Sequence, residues 1–158
     1  INFLEFILIN QKLIIQLMKD KPILIVAGQP KSIFLEIFFK SIKNIKYKSP
    51  LILICSKKVL ENQIKKFRFK KKIKVLSWKN LNNFKINNQK INIIDVELET
   101  AINKKLKIKF QNEYINNCFK IAFQLVKDGY TYKFINGPIN KKTFLNIKIF
   151  GYHGVYNH

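Results

Sequence analysis

Arginine is almost missing from this chain: of 30 basic residues in 158, only Arg68 is not lysine. Recognition of bases and phosphates leans on arginine's bidentate fork, so a formal charge of +21 built from lysine argues only weakly for nucleic acid. Heavy use of Lys, Ile, Asn and Phe is what A/T-rich codons give, and a solvated lysine surface is the plainer reading of the charge. Cysteine is also scarce. Cys55 and Cys118 stand far apart, with no Cys-x-x-Cys or Cys/His ligand spacing, which reads as two packed thiols in a reducing, cytoplasmic setting. Long apolar runs are missing too, because Asn10, Gln11 and Lys12 interrupt the N-terminal stretch, and no membrane span is expected. That stretch has neither the basic start nor the small-residue cleavage site of a secretory leader. What is present in quantity is apolar residues, at 47%, enough for one folded domain and too many for a disordered chain.

Methionine occurs once, as Met18, directly before "KDKPILIVAG". Translation is therefore expected to begin there, with residues 1–17 as translated upstream sequence; an added amphipathic helix is the alternative. From residue 22 the pattern becomes regular. The run "PILIVA" (22–27), closed by Gly28, has the continuous apolar character of a strand buried on both faces. After "GQPK", Ser32 can cap a helix reaching about residue 43, with Ile33, Phe34, Ile37 and Phe38 at helical spacing. "PLILIC" (50–55) repeats the buried-strand pattern. Residues 57–67 read as a second helix with Val59, Leu60, Ile64 and Phe67 on one side, and 73–78 as a third strand. The Asn- and Lys-rich stretch 79–90 reads as a loop with a short polar turn, 91–96 as a strand, and 97–111 as irregular. A helix over 112–128 is expected from Tyr114, Cys118, Ile121, Ala122 and Leu125, with Gly129 as its stop, followed by a strand at 133–136.

Strands alternating with helices over short connections predict an α/β domain: a three-layer sandwich with a mostly parallel sheet. Ligands in such sheets bind beyond the carboxyl ends of the strands, which directs attention to "AGQPKS" (27–32) and "NGPINKK" (136–142). In the first loop, Gly28 and Pro30 lie between a strand and a helix start, where free N–H groups favour an anion. Alone, this loop reads first as a tight turn without a ligand. In the second, Gly137 permits close approach, Pro138 fixes the turn and Lys141 offers a point charge to a phosphate or carboxylate. Asp95, Glu97 and Glu99 read as an acidic strand end in solvent, not as metal ligands.

In this order and at this separation, the two loops resemble those of the 4-hydroxythreonine-4-phosphate dehydrogenase family. Its first strand runs into a "TPGEPAGIGPE"-like loop, which Gly28, Pro30 and Glu36 of "VAGQPKSIFLE" match, while Gln29, Lys31, Ser32, Phe34 and Leu35 depart from it. Its "TGPxxK" is matched by Gly137, Pro138 and Lys141 of "NGPINK". The resemblance spans about residues 21–148, roughly the first half of a family member. It implies an isopropylmalate-dehydrogenase-like fold and a homodimer acting on a phosphorylated small molecule, with NAD or NADP and a divalent metal cation as cofactors. The reaction implied is oxidation of 4-phosphooxy-L-threonine, followed by decarboxylation, in pyridoxal 5'-phosphate biosynthesis. The substrate contacts implied are Gly137, Pro138 and Lys141, with Gly28, Pro30 and Glu36 in the neighbouring active-site loop. The family's three metal-binding histidines and most of its nucleotide site fall beyond residue 158, so the 158 residues alone are expected to be inactive.

Where the family continues with "F-x-G-H-T-E", this chain has "IFGYHGVYNH". One extra A read near the Lys148 codon would put residues 149–158 out of frame, and the alternative frame permits "F-L-G-I-T-E-Y", which restores the family's Phe, Gly, Thr and Glu. His153 and His158 then read as products of the shift, with no metal among their roles. The expected organisation is thus an extension at 1–17, the dehydrogenase part at 18–148 and a tail at 149–158. The alternative from another class is a small Lys-rich α/β module that binds nucleic acid.

Overall fold

The computed structural model describes residues 21–144 together with Leu4, Glu5, Ile7, Leu8 and Gln11; Met18 and the "GYHGVYNH" stretch lie outside the described residues. Five strands, β1 (Ile23–Val26), β2 (Leu51–Cys55), β3 (Ile73–Val75), β4 (Ile91–Asp95) and β5 (Lys133–Asn136), form one sheet in the order β3-β4-β2-β1-β5. Every pairing is parallel, so the expected α/β sandwich is present with its sheet wholly parallel.

Burial explains the composition of each strand. All five residues of β2 are buried, and β2 lies at the centre, so only continuous apolar sequence fits it. β3 and β5 are the edges, and both carry lysine and partly exposed positions, which discourages pairing with another chain. The third strand ends at Val75, short of the expected 78. Leu76 still donates to Ile93 O at 2.8 Å and is buried, but the chain then turns into a 3-10 helix at Trp78–Asn83, which takes the last residue of the expected strand and the start of the stretch expected as a polar turn.

Helices α1 (Phe34–Asn44) and α2 (Lys57–Lys66) cover one face, over Ile25, Leu53, Ile91 and Ile93. Helix α3 (Lys104–Lys127) covers the other, over Leu24, Ile52, Ile54 and Ile94. The alternate residues of each strand thus feed two cores, as the two-residue period of a strand requires. α2 buries Leu60 and packs Val59, Ile64 and Phe67 as its sequence indicates, and Ser56 Oγ caps it by accepting from Val59 N–H. Gly129, just past the Asp128 cap, stops α3: its φ is +71° and Tyr130 N–H returns to Leu125 O at 3.0 Å. A last helical turn, α4 (Lys141–Phe144), docks through Phe144, whose ring lies 6.3 Å from that of Phe119.

Two expectations are corrected. The buried face of α1 is Leu35, Phe38 and Phe39; Ile33 and Ile37, assigned to that face, are exposed. The interval 97–111 is not irregular throughout, because α3 begins at Lys104. Asn103 caps it, its Oδ1 accepting from Lys105 N–H at 2.8 Å. No helix among the described residues is long and apolar enough to cross a membrane.

Candidate functional site

The register aligns Val26 with Asn136 and Ile54, and Cys55 with Asp95, so four strands finish at one level. β1 sits between β2 and β5. The chain leaves β1 through α1 on one face and reaches β5 through α3 on the other, so the gap beyond β1 and β5 is the switch point where open α/β sheets bind ligands.

The loops expected to matter meet there, backbone to backbone. Gly137 N–H donates to Val26 O at 2.7 Å, and Gln29 N–H donates to Pro138 O at 2.9 Å. Neither glycine has room for a side chain. A Cβ on Gly28 would lie 2.4 Å from Pro138 O, and one on Gly137 would lie 2.3 Å from Ala27 O and 2.9 Å from Phe34 Cγ. Gly28 also has φ of +74°, a conformation side chains rarely adopt. The first ring of α1 therefore backs the second loop, a role for Phe34 that the sequence does not announce.

Around this joint, Ser32 Oγ accepts from Phe34 N–H at 3.3 Å, a weaker contact than the helix cap expected of it, and Ile33 occupies the cap position. Pro30 is half-buried. On the other loop, Asn136 Nδ2 donates to Gly137 O at 3.1 Å, and Phe144 N–H closes a turn on Asn140 O at 2.9 Å. That turn, anchored by the buried Phe144, places Lys141 in solvent beside Pro138 and Asn140, which are also exposed. Gly28, Pro30, Gly137, Pro138 and Lys141 thus gather at one end of the sheet. Glu36 does not join them: its carboxylate pairs with Lys40 at 2.7 Å, and it lines, with Phe67, Arg68 and Phe69, a groove between α1 and the segment after α2.

A third wall comes from α3. At 1.5 Å per residue its 24 residues extend about 36 Å, far beyond strands of four or five residues. Its buried positions start only at Asn112, so residues 104–111 overhang the carboxyl end of the sheet. The Lys31 side chain of the first loop, by hydrogen bonding first and by its like charge second, lowers the exposed Lys107 ammonium of this overhang below the usual lysine range.

Beneath the site the polar groups are structural. Tyr114 Oη accepts from Ser56 N–H at 3.1 Å, and burial pushes the phenol far up. Burial also raises the Cys118 thiol to about 12 and the Cys55 thiol well above its ordinary value, so both cysteines are protonated, free and packed, as their spacing indicates. Asp95 accepts from Lys57 N–H at 2.7 Å, joining the end of β4 to the start of α2. The described residues do not fit a divalent cation, because among them no three His, Cys, Asp or Glu side chains come together.

Parallel strands in this order, helices on both faces and two glycine loops locked together at the switch point define a doubly wound α/β domain. Its fold is that found in 4-hydroxythreonine-4-phosphate dehydrogenases. The enzyme of that name from Klebsiella pneumoniae matches with a TM-score of 0.65 at 18% identity, over 85% of this chain and 42% of that one. The one from Burkholderia phymatum matches with a TM-score of 0.65 at 18% identity, over 79% of this chain and 38% of that one. This chain therefore spans about two-fifths of the length of the structures it matches. No protein-family model and no curated protein sequence matches it.

Proposed function

We propose that this chain is the substrate-holding part of an NAD(P)-dependent, homodimeric 4-hydroxythreonine-4-phosphate dehydrogenase, a cytoplasmic enzyme of pyridoxal phosphate biosynthesis. The observation that carries this reading is the joint between the two loops. Gly28 and Pro30 on one side and Gly137, Pro138 and Lys141 on the other match the family's motifs in the sequence, and the backbone at Gly28 and Gln29 lies directly against that of Gly137 and Pro138.

In this reading the chain's own residues bind and orient 4-phosphooxy-L-threonine. The tight glycines let the two loops close on each other, the fixed Pro138 turn sets the floor, and Lys141 holds a phosphate or carboxylate as a point charge. NAD(P), when bound, would accept the hydride. Calorimetric titration with 4-phosphooxy-L-threonine tests the reading. Lys141→Ala is expected to weaken binding about tenfold or more, because a charge-assisted hydrogen bond is lost. Equal affinity in the variant and the unaltered chain would remove Lys141 from the site.

A further inference from the structure

The groove between α1 and the segment after α2 joins an apolar floor to cationic rims. Phe39 and Ile42 of α1 face Phe67 and Phe69 across the floor, while exposed Lys40 and Lys43 stand on one rim and exposed Arg68 and Lys70 on the other. The volume enclosed is about 700 Å³. A second hollow of about 400 Å³ shares Ile42 and Lys71 with it and adds Lys46 and Lys90, so the cleft continues towards Leu51 and Ile91. These residues begin β2 and β4, so the cleft leads away from the two glycine loops. Glu36 is the one acidic residue lining it among the described residues, and Lys40 already pairs with it at 2.7 Å. The charge here exceeds the general lysine background: between Glu61 and Asp95 the chain has ten basic residues and no acidic one, and six of the ten fall within residues 65–72.

Arg68 stands out within that run. Its N–H donates to Lys65 O at 3.2 Å and the Phe69 N–H to Ile64 O at 3.0 Å, the paired return bonds by which a helix ends on a left-handed residue. Glycine ordinarily fills that position, because a side chain there is strained, yet here it holds the chain's single arginine at φ of +49°. Sequences break local rules of this kind chiefly where function compensates. Lysine supplies every other positive charge, so what distinguishes this position is the planar fork that grips a carboxylate or phosphate through two hydrogen bonds.

The occupant must carry negative charge on both flanks of an apolar stripe. Single-stranded nucleic acid is the poorer fit, since Phe69 lies flat on Phe39 at 4.8 Å between centroids and Lys66 sits 5.3 Å over Phe67, whereas base stacking needs free ring faces. A second copy brings its own charge of +21 against the rims. A lipid surface is too flat to reach a recessed floor where Phe39 is 3% exposed. An acidic peptide with apolar side chains along one face satisfies floor and rims together.

We propose that this groove docks an acidic segment of a partner protein, with its apolar side chains on the Phe39, Ile42, Phe67 and Phe69 floor and one carboxylate held in two hydrogen bonds by Arg68. The surface is separate from the glycine-loop site and independent of the dehydrogenase reading.

The probe is a fluorescein-labelled synthetic peptide with leucines at helical spacing and glutamates flanking them, titrated with the 158-residue chain and followed by anisotropy. Binding is expected to saturate and to weaken as salt rises. Arg68→Gly should weaken it about tenfold or more while the melting temperature holds or rises, because glycine suits the left-handed position. Lost binding is then not lost folding. Lys43→Glu should weaken binding similarly, whereas Lys120→Glu, the same change of charge on an exposed position of α3, should leave it unchanged. A shuffled peptide of the same composition should bind about tenfold more weakly, since it has no apolar stripe. Equal affinity in Arg68→Gly and the unaltered chain, or for the ordered and shuffled peptides, overturns the proposal. So does a uridine oligonucleotide, an anionic phospholipid vesicle or a second copy of the chain that binds more tightly than the peptide and loses binding in the Arg68 and Lys43 variants.

Discussion

Gly137→Ala is expected to lower the stability of this domain by about 3 kcal/mol or more, which for a domain of this size is a fall in melting temperature of about 10 °C. The methyl group would arrive 2.3 Å from Ala27 O and 2.9 Å from both Ala27 C and Phe34 Cγ. Two of those three atoms are backbone and cannot rotate away. Relief requires the loop to withdraw, which breaks the 2.7 Å bond from Gly137 N–H to Val26 O and leaves a buried acceptor without its donor. Gly28→Ala should be at least as damaging, since it adds positive-φ strain to a 2.4 Å approach on Pro138 O. Gly129→Ala separates the two causes. Gly129 has φ of +71° with nothing within 4 Å of an added Cβ, so it should cost only about 1 kcal/mol. Thermal unfolding followed by circular dichroism measures all three. Gly137→Ala melting within a degree or two of the unaltered chain would show that the loops are not locked together.

Phe39→Ala should cost about 4 kcal/mol, the range for deleting a buried aromatic side chain and leaving a cavity. Phe39 is 3% exposed and stacks on Phe69 at 4.8 Å between ring centroids, with Phe38 and Phe67 at 6.1 and 6.2 Å. No single neighbour can fill the space, because the rings around it come from α1 itself and from the segment after α2. The loss reaches the site, since α1 also carries Phe34, the ring that backs Gly137. Loosening α1 is therefore expected to weaken ligand binding as well as folding. Urea unfolding should show a lowered midpoint with an unchanged slope, the mark of lost packing in an otherwise intact fold. A midpoint shift corresponding to less than about 1 kcal/mol would show that the aromatic cluster does not hold α1.

What the sequence makes legible follows burial closely. β1, β2 and β4 stand out as apolar runs because central parallel strands are covered on both faces, and the second half of α3 stands out because Tyr114, Cys118, Ala122 and Leu125 all face the core. Its first half is hidden for the opposite reason. In "KKLKIKF" the apolar residues Leu106, Ile108 and Phe110 alternate as in a strand, and with no core beneath them nothing imposes helical spacing. The Asn103 cap and the helix-favouring Lys and Leu residues are the signals that could have located it. On α1 the 3.6-residue period groups Phe34, Leu35, Phe38, Phe39 and Ile42 on one stripe, which is the face that packs, while Ile33 and Ile37 fall at its polar margin. For the site, Gly28, Pro30, Gly137, Pro138 and Lys141 can be picked out from loop chemistry and strand position. Phe34 cannot, because it acts by touching a loop distant in sequence.

The central claim is that the first and second glycine loops form one binding site for a phosphorylated substrate. Backbone amide chemical shifts, recorded while 4-phosphooxy-L-threonine is titrated into the chain, test it most directly. The largest saturable shifts should fall on Gln29, Lys31 and Ser32 and on Gly137, Ile139 and Lys141, moving with one common binding constant. Saturable shifts confined to other parts of the chain, or two loops titrating with different constants, would contradict it.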